Sequence, residues 1–504
     1  MKSPLKPADK REMKKRASGF ALTLALTTLA SCGSSAEEAK TIDALISEFI
    51  TNHSLDGDPV DGMLPPSINS PKADLGKRLF FTKALSGGMD TACASCHHPV
   101  LGGGDGLPLP IGVDAVAESL LGPGRTHRAA ATGFDGGPTV PRNSPTTFNM
   151  ALWKQTLFWD GRVESVPGGI TSPDSTTFPQ VDPDAALTLT ATQARFPVTS
   201  AEEMRGFSFE ASGENEDVRD HLAGRMGNYG VGAGEITEDW LPLFRTAFAQ
   251  PTGTAQDLIT FPNIVEAIGV YEDSQVFIET PWKDYVEGQE DALTPSAKRG
   301  ALLFFRGPSA GGAACVRCHS GDFFTDERFH AVGFPQIGRG KGDGAVTGDL
   351  HADFGRERVT DNRDDRYAFR TPSLINVAAT GPWGHDGVFQ DLESLVRYHL
   401  DPESGWASFD LGALPADIQT VGTVANTALI IQELLAQKAS GDSRLPIVTD
   451  FTTAQIQDLV AFLEALTDPR VLDPAEMEPW IGRNDATFTD SLLLEATDGA
   501  LNSL

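Results

Sequence analysis

Two stretches of the chain repeat one pattern of apolar and polar positions. Leu75-Gly76-Lys77-Arg78-Leu79-Phe80-Phe81 and Arg299-Gly300-Ala301-Leu302-Leu303-Phe304-Phe305 each carry an early glycine and end on paired phenylalanines. Further on, Ile264, Ile268 and Tyr271 keep helical spacing, and Ile456, Leu459, Val460 and Leu463 stand at i, i+3, i+4 and i+7. Such spacing places apolar side chains on one helix face. An opening helix, a looped interior and a closing helix are therefore predicted twice. The interiors contain long Gly/Pro/Asp stretches: Gly102 to Gly112, Thr171 to Asp184 and Gly338 to Asp353. Loops this long inside a compact unit are usually functional, and here they are expected to wall pockets.

A chain of 504 residues is too long for one core. Its 40% apolar and 22% charged content is ordinary for a globular protein. The pattern predicts a first domain over 71–288 and a second over 289–471, parted in Glu287-Gly288-Gln289-Glu290-Asp291. Residues 33–70 read as a polar lead-in, and 472–504 as a loosely packed acidic tail.

The first 32 residues read as a targeting segment. Lys14, Lys15 and Arg16 precede an apolar stretch from Phe20 to Ala30, too short to span a membrane. Leu29-Ala30-Ser31-Cys32 looks like a bacterial lipobox, which implies that Cys32 becomes a lipidated N-terminus. An ordinary signal peptide with an incidental cysteine is the alternative. The expected location is the periplasm or cell surface, with a lipid anchor as the only membrane attachment. Ser34 after Gly33 resembles an outer-membrane sorting context. Net charge is −29, and removing residues 1–31, with seven Lys/Arg and two acids, leaves −34. A surface this acidic excludes nucleic acid as a partner and steers basic proteins inward, or simply serves solubility.

Apart from Cys32, the cysteines fall into Cys93-Ala94-Ser95-Cys96-His97 and Cys315-Val316-Arg317-Cys318-His319. Free thiols are out of place in an exported protein. Two thiols at this spacing reach the two vinyl groups of one haem, and the following histidine is placed as proximal iron ligand. A zinc site would need both halves to meet in one four-cysteine cluster. Two complete motifs in repeated contexts instead predict two covalently bound haems c, with His97 and His319 on their irons. The expected fold is mainly α, with two cytochrome c-like domains, long loops and one covalent haem in each.

Arg142-Asn143-Ser144-Pro145-Thr146 and Phe158-Trp159-Asp160-Gly161-Arg162 follow in the first domain. Phe369-Arg370-Thr371-Pro372-Ser373-Leu374 and Thr380-Gly381-Pro382-Trp383-Gly384-His385-Asp386-Gly387 follow in the second. With these motifs in this order, the chain resembles the bacterial di-haem cytochrome c peroxidase family, which includes the MauG-type enzymes, over roughly residues 70–470. The resemblance implies that the first haem is the peroxide site and the second an electron relay, with Trp159 between them. It implies a calcium ion at Asn143, Thr380 and Pro382, held in part by the oxygen atoms that hard cations prefer. Arg162 or Arg370 is expected at the haem propionates, and His385 among the cofactor-binding residues.

The departures from the family pattern carry most of the functional information. Many members block the first iron with a histidine in an Ile-Gly-His segment, which reads Ile111-Gly112-Val113 here. The first haem is therefore expected to be open, as in MauG-type enzymes; His98 and His127 are the substitutes to consider, and His127 is the real competitor. Glu203 before Met204 matches the family's proton shuttle, although Glu202 and Glu203 also read as a solvated helix start. Pro173 keeps its spacing from Trp159, whereas Gly169 stands where many members have a glutamine. The relay's usual methionine, 14 residues after the histidine of His-Asp-Gly, is His399, and no methionine occurs between residues 227 and 476. Leu392, Leu395, Val396 and His399 share one helix face, which points His399 inward. A buried, satisfied histidine is the plain alternative, and Tyr398 the alternative ligand, since MauG-type enzymes use tyrosine at the position of His399. Ile375 replaces an arginine common in relatives.

These features together imply a di-haem oxidoreductase that reacts with hydrogen peroxide. Electrons come from a small cytochrome or cupredoxin, as in the peroxidases, or from a protein substrate, as in MauG-type oxidases. An electron-transfer cytochrome and a dioxygen-using di-haem oxygenase are the readings from other classes.

Overall fold

The opening helices form where their caps dictate. A computed structural model describes residues 40–344, 351–441, 445–448 and 450–504; the targeting segment and Cys32 lie outside the described residues. Helix α1 spans Ile42–His53 and α2 spans Pro71–Phe81. Ser70 caps α2 by accepting from the Ala73 amide, and Pro71 takes the first turn, where a missing N–H costs nothing. Helix α3, Phe261–Asp273, closes the first repeat. Helix α4 covers Pro281–Val286, and α5, Pro295–Phe305, opens the second repeat with the same start: Thr294 as cap and Pro295 behind it. Helix α6 spans Leu392–Leu400, and α7, Thr453–Glu464, closes the second repeat behind a Thr452/Gln455 capping box.

The repeated glycines explain themselves at the helix crossings. A Cβ on Gly76 would lie 1.9 Å from the Ala267 carbonyl oxygen, where α2 meets α3. A Cβ on Gly300 would lie 1.9 Å from the Asp458 carbonyl oxygen, where α5 meets α7. Only glycine permits backbones this close. Each crossing supports its own core: Leu79, Phe80, Ile264 and Ile268 in the first, Leu302, Phe304, Leu459 and Phe462 in the second.

The chain ends depart from expectation. Ile46 of α1 and Leu55, in the expected lead-in, are buried in the second core. Trp282 and Tyr285 of α4, assigned by sequence to the first domain, pack there too, with Trp282 edge-on to Phe462 at 5.2 Å. The C-terminal segment is not loosely packed. Ile481, Leu494 and Ala496 are buried in the first core, the Leu494 amide donates to the Phe81 carbonyl at 2.9 Å, and Arg78 pairs with Asp485 at 2.6 Å. The acidic composition of these segments concealed a few apolar residues that each find a core. N-terminal and C-terminal segments thus cross over to the opposite repeats, and Thr41–Leu504 forms one unit.

Each repeat also carries one small antiparallel sheet. Strands β1 (Thr156–Leu157), β2 (Val163–Val166) and β3 (Gly169–Thr171) pair in order, with Leu157 opposite Val163. Strands β4 (Phe329–Ala331) and β5 (Ala368–Arg370) pair with Phe329 opposite Arg370. The β1–β2 connection carries Trp159, and the Arg370 amide donates to the Trp159 carbonyl at 2.8 Å. No helix among the described residues is long and apolar enough to cross a membrane.

Candidate functional site

One cavity runs through both repeats, and both C-x-x-C-H motifs line it. Each motif folds as a short turn behind its opening helix, Cys93–Ser95 and Cys315–Arg317. His97 Nδ1 lies 3.1 Å from the Gly103 carbonyl oxygen, and His319 Nδ1 lies 3.2 Å from that of Phe324. Donating to a carbonyl through Nδ1 fixes the ring and leaves Nε2 as a ligand. Burial holds both imidazoles neutral, lowering His97 and bringing His319 to about 4. Burial also pushes the Cys96 and Cys315 thiols up to about 12 and the Cys93 thiol higher.

This donor set fits a haem at each motif. Paired thiols face the same space as the neutral imidazole, and largely apolar side chains wall it. Arg370 is buried, and its Nη1 has no hydrogen-bond partner, as expected of a cation reserved for a carboxylate such as a haem propionate. Its Nε donates to the Phe158 carbonyl at 3.1 Å, and its guanidinium lies 3.5 Å above the Trp153 ring. Ile375, in the position of the family's other arginine, is buried and lines the cavity without a charge.

The first site brings Glu203, Met204, Pro110, Arg162 and Lys341 to the cavity. Glu203 sits in Ala201–Arg205, a single turn of π-helix, a form frequent at functional sites. The Val113 amide meets the Glu202 carbonyl at 3.4 Å, and Gly112 packs so tightly that a Cβ there would lie 2.4 Å from the Glu203 carbonyl oxygen. The segment that carries the blocking histidine in many relatives is thus a buried prop for the Glu203 turn. Burial raises the Glu203 carboxyl, and Arg162 and Lys341 pull it partly back. Glu202 turns instead to Ser200, whose hydroxyl donates to it at 3.3 Å.

Neither substitute histidine reaches the cavity. His98 is fully buried edge-on to Phe81, with centroids 5.6 Å apart. His127 stacks on Phe134 at 5.4 Å, its Nδ1 3.1 Å from the Arg128 carbonyl oxygen. The histidines that line the cavity are His97, His319, His330, His385 and His399.

At the second site His399 projects from α6 into the cavity, edge-on to Phe334 at 5.5 Å. Burial brings its imidazole down to about 3, so it is neutral. Tyr398 points the other way: its hydroxyl donates to the Gly333 carbonyl at 2.8 Å within a separate apolar cluster. His330 Nε2 lies 2.9 Å from Asp326 and near Cys318. That trio shares its cysteine with the haem motif.

Where the two repeats meet, the Trp159 indole donates to the Asn143 carbonyl at 2.9 Å, and the Asn143 amide donates to the His385 carbonyl at 2.9 Å. His385 stacks on Phe369 at 3.8 Å. Asn143, Thr380 and Pro382 line the same part of the cavity. Asn143 Nδ2 donates to the Leu107 carbonyl at 2.9 Å, which leaves its side-chain oxygen as the acceptor a cation would use. Of the three long loops, those holding Pro110 and Lys341 reach the cavity, whereas 171–184 does not.

Sequence reasoning missed three contributors. Lys341 stands alone in a glycine-rich loop with no periodicity to mark it. Trp153 belongs to none of the motifs. Arg142, quoted only as part of a motif, anchors the inter-repeat ion cluster: its Nη1 donates to Asp160 at 2.6 Å and its Nε and Nη2 to Asp353 at 2.7 and 2.8 Å.

A family described as di-haem cytochrome c peroxidase matches residues 70–291. The methylamine utilization protein MauG of Methylorubrum extorquens is 29% identical over 347 residues, covering 67% of this chain and 72% of that protein. Cytochrome c551 peroxidase of Pseudomonas aeruginosa is 26% identical over 329 residues, covering 65% and 71%. The crystal structure of the diheme peroxidase BthA from Burkholderia thailandensis has the same fold, with a TM-score of 0.52 at 23% identity over 83% of this chain and 91% of that one.

Proposed function

Because the chain belongs to the di-haem cytochrome c peroxidase family and is an oxidoreductase of that type, we propose that it reacts with hydrogen peroxide at an open first haem site. Electrons reach that site through the second haem from a partner protein. The observation that carries this reading is the first site itself: Glu203 faces the cavity, and neither His98 nor His127 does. When bound, haem supplies the redox-active iron. His97 and His319 would hold it through Nε2, and the cysteine pairs would attach it covalently. Glu203 relays a proton between the two peroxide oxygens. Trp159, fixed by the Asn143 carbonyl, lies on the path between the sites, with Asn143, Thr380 and Pro382 holding a calcium ion beside it. The lipobox supports export and tethering through Cys32. Stopped-flow mixing of the fully oxidised protein with peroxide tests the reading. A spectral change without prior reduction is expected; a change seen only after one-electron reduction overturns it.

The second haem takes His319 and His399 as its ligands in this reading. Histidine in place of methionine removes a ligand that raises the haem potential. This favours the MauG-like branch, in which a protein substrate gives up the electrons, over a peroxidase primed by a small cytochrome or cupredoxin. Low-temperature electron paramagnetic resonance is expected to give a low-spin bis-histidine signal beside a high-spin one. His399→Ala converts the low-spin signal to high spin, and Tyr398→Phe leaves it unchanged. The reverse pattern would move the ligand to Tyr398.

A further inference from the structure

The polar wall of the first haem site holds more positive charge than its own carboxylates neutralise. Arg142 is committed to Asp160 and Asp353. Arg162 shares Asp160, with Nη1 3.1 Å from both carboxylate oxygens, and its guanidinium lies 3.5 Å over the Phe158 ring. Lys341 lines the same cavity, and its ammonium has no hydrogen bond or ion pair among the described residues. Three cations thus face two committed carboxylates. The remaining acid is Glu203, which burial biases towards its neutral form.

The backbone places Lys341 here. Its amide donates to the Ala352 carbonyl at 3.0 Å, and its carbonyl accepts from Arg358 Nη1 at 3.1 Å. Gly340 has a φ of 62°, and a Cβ there would lie 2.1 Å from the His351 carbonyl oxygen. The loop is therefore pinned beside Asp353, the partner of Arg142. Burial, reinforced by Arg142 and Arg162, lowers the Lys341 ammonium to about 8. Lys341 is half-buried, and an ammonium partly withdrawn from water with no ion pair of its own is stabilised by an anion that enters beside it.

We propose that Lys341 makes the first haem pocket an anion subsite, which takes small inorganic anions and the hydroperoxide form of the oxidant. When peroxide gives a proton to the Glu203 carboxylate, the negative charge passes from Glu203 to the hydroperoxide. No electron moves in this step, and Lys341 offsets the charge on either partner. The proposal rests on the open-site reading above. A haem propionate is a second source of the same carboxylate-like chemistry, and the test separates the two.

The probes are fluoride, an anion that binds ferric haem, and carbon monoxide, a neutral ligand of ferrous haem. Both are titrated into the full-length, haem-loaded protein. Lys341→Met is expected to weaken fluoride by about tenfold and carbon monoxide by less than about twofold. Lys341→Arg is expected to restore fluoride binding. Lys341→Gln serves as a second neutral variant if the methionine variant does not load haem. Unchanged fluoride affinity, or equal weakening of both ligands, overturns the proposal. A shifted midpoint potential of the first haem with an unchanged fluoride-to-carbon-monoxide ratio assigns Lys341 to a propionate and overturns it too. If the wild-type protein binds neither probe, the open-site reading itself fails.

Discussion

Glu203→Gln is expected to slow the reaction with hydrogen peroxide by about 10²–10⁴-fold, the usual worth of a positioned acid–base group. Glutamine keeps the size of the side chain but can neither take up nor release the proton. The Glu203 turn is braced by the Gly112–Val113 segment, so the substitution leaves the backbone and both haem attachments in place. Haem content and the low-spin signal of the second site should be unchanged, which separates a chemical loss from a folding defect. The wild-type pH profile is a second readout. Burial raises the Glu203 carboxyl above its ordinary value of about 4.3. The proton-accepting form is therefore lost as pH falls through that raised value, and the peroxide rate falls with it. In Glu203→Gln this limb of the profile should be flat. A variant that reacts at the wild-type rate, or keeps the limb, removes Glu203 from the reaction.

The parts of this site that were legible in the sequence are those fixed by local geometry. C-x-x-C-H is a reach constraint within five residues, and the glycine-phenylalanine repeat marks a helix crossing whose cause, a carbonyl 1.9 Å from a would-be Cβ, is the same in both repeats. His399 was legible because one helix face carries Leu392, Leu395 and Val396 with it. Lys341 was not. Its role depends on a loop pinned by Ala352 and Arg358 and on the commitments of Arg142 and Arg162, none of them nearby in sequence except Ala352. The chain ends were misread for a related reason. Composition made 33–70 and 472–504 look polar, whereas single residues such as Ile46 and Leu494 each fill a place in the opposite repeat's core. Periodicity reports the face an element buries, not the core it joins.

Arg142→Met is expected to destabilise the fold by about 3–5 kcal/mol near neutral pH, because it removes one partner of a buried ion cluster and strands the others. The Asp353 side chain is fully buried and that of Asp160 is 4% exposed, and Arg142 bonds to both. Asp160 keeps a contact to Arg162 at 3.1 Å; Asp353 loses its only ion-pair partner among the described residues. The cluster joins the Arg-Asn-Ser-Pro-Thr motif of the first repeat to the loop after Lys341, so its loss also loosens the Asn143 carbonyl that holds Trp159. The effect should depend on pH with a definite sign. In the wild type Arg142 holds both carboxyls well below the ordinary range, against the opposing effect of burial. Their contribution is fully present above the unfolded value of about 3.9 and is lost only as pH falls below it. Without Arg142, burial raises the Asp353 carboxyl, so the variant regains stability as pH falls from 7 towards 5 while the wild type does not. Thermal unfolding of the haem-loaded proteins at both pH values decides the matter. The expected gap in Tm is about 3–5 °C at pH 7 and narrower at pH 5. A gap that is absent at pH 7, or that widens on acidification, would mean that the Arg142 cluster does not hold the two repeats together.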